Sequence, residues 1–492
     1  MLDKLLGITR RDERPGSPQA VLHWCARLLD EPGEAEALAI AAEVINGYWR
    51  LSAPSRHDFL LGLNADFGPD PQTLLAHAQN FARSGAAPDL IGLASALQSP
   101  RQQVFKRLSR APGGMAAVVA MRECVLSRLA EYPELQALNM ELLGLLENLF
   151  SPGLLQLRQV DWSSPAALLE KLIVQQAVHA VDGWSDLRRR LQADRRCFAF
   201  FHPALPDEPL IFVEVALLDE MPQALAPLLD RRKPATAPAT PFTVASFYSI
   251  SHCLPGLRGV HLGPFLVRQV VQRLRAEIPS LQTFCTLSLV PGFAQWLQRT
   301  RRIDTAGLKP ALLESLNQDL AALREQHGRD LAGLIRRDVA PAGHRLTLAT
   351  GPVAPADGQP ASDGPQRRRE DLALSGAASP AGPTASGSGT GMNAAPAAEY
   401  HPLSRLCAHY LTRLMSEHGQ HPDPVARFHL RNGARLTRIN PWADRSEHAM
   451  AQSFGLMVNY VYDLDEIENN HRAFMRAEVV CSRQIQQLLR RA

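Results

Sequence analysis

Ser288 is the first residue whose type and position could support chemistry. It lies in the apolar run Leu287-Ser288-Leu289-Val290, which the turn residues Pro291 and Gly292 follow. A serine placed where a strand meets a Pro-Gly turn can expose its hydroxyl at the end of that strand. The plainer interpretation is a hydrogen bond from this hydroxyl to nearby backbone.

His429 and two tyrosines form the second set of candidates. His429 precedes Asn432-Gly433, and Asn-Gly between two strand-like runs (426–430 and 434–439) predicts a β-hairpin with His429 near the end of its first strand. Tyr460 and Tyr462 alternate in a predicted strand at 456–462 and would share one face. All three could instead be packing residues whose polar atoms find a local partner.

A candidate phosphate-binding loop follows a predicted strand and precedes a predicted helix. Its residues are Arg258, Gly259, Val260, His261, Leu262, Gly263 and Pro264. The two glycines allow a ligand to approach the backbone, and proline suits the first position of a helix. Free N–H groups at a helix N-terminus favour a pyrophosphate. A plain turn before a helix is the alternative.

Metal binding and the common nucleotide motifs are not predicted. His418 and His421 flank a proline-containing loop near His429, but no cysteine or carboxylate stands at ligand spacing. The chain contains no Walker loop, no HExxH motif and no dinucleotide-binding glycine pattern. The sequence therefore predicts neither a metal nor an organic cofactor.

Composition narrows the classes of protein further. The 492 residues carry 52 Lys and Arg against 49 Asp and Glu, so the net charge of +3 predicts neither a nucleic-acid partner nor a membrane partner. No apolar run is long enough to span a bilayer. Seven cysteines without CxxC spacing fit a reducing compartment. With no leader pattern at the start, a cytoplasmic protein is expected.

The elements that must position these residues predict an α+β multidomain chain. Residues 17–191 show helical periodicity, clearest between Pro133 and Phe150, and predict a helical bundle. From residue 196 the order changes to two strands in a hairpin (197–201 and 210–217), a strand at 243–251, a helix at 264–278 and a strand at 283–290.

The last third of the chain contains a segment of different composition. Residues 351–398 are dominated by Ala, Gly, Pro and Ser, which predicts a disordered insertion. A helix at 402–416 should follow, and a long helix at 468–489 should end the chain. We therefore expect a helical domain at 1–192 and a mixed α/β domain at 193–492.

At these residues the sequence resembles the malonyl-CoA decarboxylase family. The matching segments are 201–206, 259–265, 287–293 with Trp296 and Leu297, 428–434, 438–440 with Asp444, and 455–462. The resemblance implies an N-terminal helical bundle with a role in oligomerisation, followed by an acetyltransferase-like (GNAT-like) catalytic domain. It also implies a homo-oligomer, either a dimer or a tetramer.

The resemblance further implies which residues act. Ser288, His429 and Tyr462 fall on the family's catalytic positions, and residues 258–264 fall on its malonyl-CoA loop. Ser288 and His429 are expected to contact the substrate as well. His261 departs from the family, which usually has Glu at this position, and the insertion at 351–398 is also atypical. The implied reaction releases CO₂ and acetyl-CoA without a cofactor.

Two other classes of protein remain open. One is a GNAT-type acyltransferase that uses the same CoA loop with an amine or thiol acceptor. The other is a non-catalytic, CoA-responsive interaction protein built on the helical half. Malonyl-CoA incubated with the protein alone distinguishes them, because only a decarboxylase forms CO₂ and acetyl-CoA without an acceptor.

Overall fold

The computed structural model describes residues 16–176, 178–230, 241–260, 265–328, 331, 397–415 and 421–490. Within these ranges no helix is both long and apolar enough to cross a membrane. The predicted insertion at 351–398 lies outside the described residues, apart from the backbone of its last two positions.

The N-terminal part is helical, as predicted. Its first eight helices are α1 (Pro18–Asp30), α2 (Glu34–Arg50), α3 (Ala53–Asp66), α4 (Pro71–Ser84), α5 (Ala87–Ala96), α6 (Pro100–Arg110), α7 (Gly114–Arg128) and α8 (Gln136–Leu149). The leucine stripe predicted for 133–150 is the buried face of α8, where Leu138, Leu142 and Leu146 enter the core. A 3₁₀ turn at Pro133–Leu135 precedes α8, and another at Pro152–Leu154 follows it.

Helices α4 and α5 differ from the other N-terminal helices because neither has a buried residue. They pack as an antiparallel pair mainly against each other. Leu75 and Ile91 on this pair are 60% and 66% exposed. An isolated pair of such short helices obtains little stability from its own contacts.

The remaining elements surround one sheet. Its strands are β1 (Gln156–Val160), β2 (Arg195–His202), β3 (Leu205–Leu218), β4 (Val244–His252), β5 (Thr283–Thr286), β6 (Ser288–Leu289), β7 (Arg435–Asn440) and β8 (Met457–Tyr462). The helices are α9 (Ala166–Gln175), α10 (Gly183–Arg190), α11 (Ala226–Leu229), α12 (Phe265–Glu277), α13 (Phe293–Arg299), α14 (Pro310–His327), α15 (Ala397–Arg413), α16 (Pro424–Arg431), α17 (Glu447–Ser453), α18 (Ile467–Met475) and α19 (Arg483–Arg490).

Strand order in the sheet is β1-β2-β3-β4-β5-β8-β6, with β7 paired to β8. All pairs are antiparallel except β4–β5, which α12 connects as a parallel crossover. The predicted β-β-β-α-β order and the hairpin of β2 and β3 are therefore confirmed. The fold is α+β, as expected.

Strands β4 and β5 separate after only four paired positions, from Val244–Thr283 to Phe247–Thr286. Beyond this point β4 continues to His252 along β3, while β6 pairs with β8. A β-bulge at Tyr248 bends β4 near this position, because Glu214 faces Ser249 and Val215 faces Phe247. A cleft therefore opens between the end of β4 and β6.

Three details of local structure differ from the prediction. The sequence did not predict β1, which lies inside the region assigned to helices. The strand predicted at 283–290 is split into β5 and β6, because Leu287 N–H bonds to the Phe247 carbonyl instead of continuing the ladder to β8. The long helix predicted at 468–489 is also divided, into α18 and α19, by a bridge from Cys481 to Leu436 of β7.

The predicted hairpin around Asn432-Gly433 is wrong. Residues 426–430 belong to α16, not to a strand, and only β7 on the far side is extended. Asp423 caps this helix and Pro424 takes its first position, which are helix start signals that compete with the turn signal of Asn-Gly. Gly433, with φ of 77°, ends the helix in the left-handed region.

Gly433→Ala should destabilise the protein. A Cβ at position 433 would require a left-handed alanine and would overlap the backbone carbonyl of Ile467. We expect the free energy of unfolding in urea to fall by about 2–5 kcal/mol. Gly85→Ala is the control: its φ is also positive, but no atom lies within 4 Å of the added Cβ, so only the conformational cost of about 1–2 kcal/mol applies. Equal losses for both variants would contradict the overlap with Ile467.

Candidate active site

Ser288 and His429 meet although 141 residues separate them in the chain. Ser288 begins β6 at the edge of the cleft, and His429 projects from the last turn of α16. The Ser288 Oγ and the His429 Nε2 are 3.1 Å apart, within hydrogen-bond distance. The structure thus brings two of the predicted catalytic residues together, with His429 on a helix instead of a strand.

Tyr462 completes a hydrogen-bonded row. Its hydroxyl lies 2.8 Å from the His429 Nδ1, on the side of the ring opposite Ser288. Tyr460 stacks on the same ring, with 4.7 Å between ring centroids and 27° between planes. The two tyrosines were predicted to share one strand face, and together they fix both the plane and the rotation of the imidazole.

Thr286 supports Ser288 from the other side. The Ser288 hydroxyl donates to the Thr286 Oγ1 at 3.0 Å, and this oxygen also accepts the Tyr460 N–H at 3.3 Å. With this arrangement the His429 Nε2–H donates to Ser288 and the Tyr462 hydroxyl donates to Nδ1. A neutral imidazole with its proton on Nε2 satisfies every bond in the row.

Burial determines the charge of His429. Desolvation lowers its pKa from 6.5 to about 3. Burial also raises the pKa of the Tyr462 hydroxyl above its ordinary value. The row therefore consists of neutral groups at physiological pH, so His429 can pass a proton but does not supply a standing positive charge.

The cleft beside this row is a cavity of about 520 Å³. Ser288 and His429 line it together with Phe247, Tyr248 and Ile250 of β4 and Phe428 of α16. His179, Arg427 and His448 are polar groups at its boundary. A larger cavity of about 730 Å³, between α14, α15 and α19, contains none of the predicted site residues.

The candidate phosphate loop is only partly described. Arg258 is exposed, Val260 is buried, and Gly259 reaches the boundary of the cleft with φ of 88°. His261, Leu262, Gly263 and Pro264 lie outside the described residues. The described end of the loop is thus adjacent to the same cleft as Ser288 and His429.

In the part of the chain that the structure describes, no three His, Cys, Asp or Glu side chains are arranged to hold a metal ion. His421, considered above as a ligand, is buried; its Nε2 lies 3.1 Å from the Leu411 carbonyl oxygen and its Nδ1 accepts the Asp423 N–H at 3.0 Å. His418 lies outside the described ranges.

Three polar residues near the site were not predicted from the sequence. Thr286 stands two positions before Ser288, the spacing that places side chains on one strand face, so its position could have been inferred. Asn459 donates from its amide to the Thr286 carbonyl at 2.8 Å, and Asp423 accepts the Gly292 N–H at 3.0 Å. These two contacts link distant segments, and no local spacing indicates them.

The low pKa of His429 should make folding sensitive to acid. Its pKa is about 3 in the folded protein and about 6.5 in an unfolded chain, so the unfolded state binds one more proton between these values. Stability associated with neutral His429 is complete above about pH 6.5 and is lost as the pH falls toward 3. The free energy of unfolding should change less steeply with pH in His429→Asn than in the wild type. Between pH 6 and 4 the two slopes should differ by about 1.4 kcal/mol per pH unit. Identical slopes for the variant and the wild type would contradict this assignment.

Known proteins resemble this chain over nearly its whole length. The family model described as "Malonyl-CoA decarboxylase C-terminal domain" matches residues 153–344 and 387–492, and the corresponding N-terminal domain model matches residues 67–150. A relative from Anser anser anser, "Malonyl-CoA decarboxylase, mitochondrial", is 31% identical over 452 residues, which cover 88% of this chain and 80% of the relative.

Solved structures agree with the sequence comparison. A malonyl-CoA decarboxylase from Rhodopseudomonas palustris has a TM-score of 0.74 and 36% identity, covering 96% of this chain and 99% of that one. One from Agrobacterium vitis has a TM-score of 0.70 and 35% identity, covering 96% and 100%. The resemblance on which the sequence was interpreted is therefore confirmed: the chain belongs to the malonyl-CoA decarboxylase family.

Proposed function

We propose that this protein converts malonyl-CoA to acetyl-CoA and CO₂, with Ser288 and His429 as the proton-transfer pair. The observation that carries the proposal is the 3.1 Å contact between these side chains at the boundary of the 520 Å³ cleft. Family membership supplies the substrate, and the geometry supplies the acting groups.

The reaction needs few groups from the protein. When the bond between the methylene carbon and the carboxylate breaks, its electron pair moves into the thioester carbonyl and forms an enolate. The substrate thus provides its own electron sink. The protein must stabilise the developing oxyanion and deliver one proton to the carbon.

The hydrogen-bonded row can deliver that proton. Ser288 faces the cleft and would donate its hydroxyl proton to the enolate carbon, while the His429 Nε2–H replaces it on the serine oxygen. The Tyr462 hydroxyl proton would move onto Nδ1 at the same time, so the ring stays neutral. Before the next turnover the row would regain from water entering the cleft, through Ser288, the one proton that the reaction consumes. The apolar surroundings from β4 and α16 would disfavour a charged substrate carboxylate and favour its loss.

The remaining predicted residues are assigned to CoA. We propose that residues 258–264 bind its pyrophosphate and that the catalytic domain is GNAT-like. The parallel β4–β5 pair that separates to open a cleft, and the position of Gly259 at that cleft, support both statements. The domain limits, 1–192 and 193–492, are likewise proposed, with the qualification that β1 pairs with β2 of the sheet.

Ser288→Ala and His429→Asn should each lower kcat by roughly 10²- to 10⁴-fold for malonyl-CoA supplied without an acceptor. Release of CO₂ and formation of acetyl-CoA are measured together. Because the two residues act as one unit, the double variant should be little slower than the slower single variant. Ser127→Ala is the matched control, since its hydroxyl bonds only to a carbonyl in its own helix. Near-normal kcat in both folded single variants would refute the pair, and acetyl transfer only in the presence of an amine or thiol would favour the acyltransferase alternative.

We also propose that the protein is a homo-oligomer in which α4 and α5 pack against a second copy. Residues 70–97 carry only three charged side chains, Asp70, Arg83 and Asp89, so two copies of this surface would meet with little charge repulsion. Its exposed leucine and isoleucine side chains are of the kind that subunit interfaces bury. Two such helix pairs can form a four-helix bundle about a twofold axis.

The double variant Leu75→Glu/Ile91→Glu tests this surface. Introducing charge at both positions should reduce the molar mass measured by light scattering to that of a smaller assembly. Asn80→Asp is the control, because it adds charge at an exposed position that lies about 140° around α4 from Leu75. If the double variant keeps the wild-type mass, the copies meet elsewhere; if the wild type is itself a monomer, the proposal fails.

The proposed location is the cytoplasm. All seven cysteines are free thiols in the structure, which is consistent with a reducing compartment. The relatives from Anser anser anser and Mus musculus carry the word mitochondrial in their names, and that compartment is the alternative for this chain.

A further inference from the structure

The Ser288–His429 contact joins two segments that lie far apart in the sequence. Ser288 is followed by the turn at Pro291 and Gly292, while His429 belongs to α16. A proton moves between two heavy atoms only when they are held at hydrogen-bond distance, so small displacements of one segment matter. A third element must therefore keep the turn and the helix in register.

Asp423 contacts both segments through one carboxylate. Its Oδ1 accepts the N–H groups of Val425 and Ala426 at 3.0 and 2.9 Å and so caps α16. Its Oδ2 accepts the Gly292 N–H at 3.0 Å, across 131 residues of sequence. The same side chain thus begins the helix that carries His429 and holds the turn that follows Ser288.

The surroundings keep this carboxylate in place. Asp423 is completely buried, and its own N–H donates to the Nδ1 of His421, whose Nε2 lies 3.1 Å from the Leu411 carbonyl oxygen of α15. A Cβ at position 292 would lie 3.4 Å from Oδ2 and would overlap the Tyr410 hydroxyl. Glycine at this position therefore allows the turn to approach the carboxylate.

We propose that Asp423 is a positioning residue for the Ser288–His429 pair, called the dyad below. By binding the Gly292 turn and the first turn of α16 at once, Asp423 sets the distance between the two side chains. The role in catalysis rests on the proposed decarboxylation, whereas the geometric role does not. Asp423 does not line the cleft, so it acts through the dyad and not on the substrate.

Asp423→Asn is the most informative change. Its single carbonyl oxygen can cap α16 or accept from Gly292, but its NH₂ group cannot accept in the other place. If the cap is retained, two donors face each other at Gly292 and the turn moves away. We expect kcat to fall by about 10- to 100-fold, whereas KM should change much less because Asp423 itself does not line the cleft and every side chain that does is kept.

Asp70→Asn is the matched control. Asp70 caps α4 through the N–H groups of Gln72 and Thr73, just as Asp423 caps α16, but none of its hydrogen bonds reaches a distant segment. This variant should retain the wild-type kcat. If Asp423→Asn does not fold, Asp423→Ser preserves a helix cap with one oxygen and carries the same comparison.

A double-variant cycle separates positioning from general destabilisation. In a Ser288→Ala background the dyad no longer functions, so adding Asp423→Asn should reduce kcat little further. An equal fold reduction in both backgrounds would overturn the proposal, as would a folded Asp423→Asn with wild-type kcat.

A structural measurement makes the outcome independent of the reaction. In a crystal structure of Asp423→Asn, the Ser288 Oγ and His429 Nε2 should be farther apart than the 3.1 Å of the wild type. An unchanged distance refutes the positioning role of Asp423 even if the protein decarboxylates malonyl-CoA. Conversely, a longer distance in a protein that releases no CO₂ would support the positioning role of Asp423, although the proposed function would fail.

Discussion

The early separation of β4 from β5 is the constraint on which the site depends. Their parallel pairing ends at Phe247 and Thr286; farther along, β4 stays paired with β3 while β6 pairs with β8. Backbone groups left at such a break need other partners, because unpaired buried N–H and C=O groups are costly. Here Asn459 donates to the Thr286 carbonyl, and the Thr286 hydroxyl accepts the Tyr460 N–H. These hydrogen bonds stabilise the break between the strands, and Ser288 lies beside the cleft that the break opens.

The same burial that fixes His429 also restricts its chemistry. Stacking on Tyr460 and bonding to Tyr462 hold the ring, and its burial lowers its pKa to about 3. A neutral imidazole suits a reaction whose substrate is already an anion and whose transition state keeps that charge. A permanently charged imidazolium would attract the malonyl carboxylate in the ground state, which would not by itself accelerate its loss.

Motif resemblance selected residues that the structure brings together, whereas local patterns mispredicted one of the elements that carry them. Ser288, His429 and Tyr462 were assigned from motif resemblance, and the structure places all three in one row. The prediction of a strand for the element that carries His429 was nevertheless wrong. Asn432-Gly433 is typical of a hairpin turn, whereas Asp423-Pro424 is an equally clear helix start signal. The choice between them depends on Gly292 and His421, which contact Asp423 from other segments. Short-range patterns contain no information about these contacts.

The helical part of the chain is also connected to the cleft. Arg122 of α7 is buried and donates to the Gly256 carbonyl at 2.6 Å, and it also bonds to the Asn139 side chain of α8. Gly256 approaches α7 so closely that a Cβ there would overlap the backbone of Val119. Residues 255–257 lead directly into Arg258 and Gly259, where the candidate phosphate loop begins. Because burying a guanidinium is costly unless its N–H donors are hydrogen-bonded, α7 and this turn must fold against each other. The helices thus form part of the support for the proposed CoA loop, and a change in their packing would displace Gly259 at the boundary of the cleft.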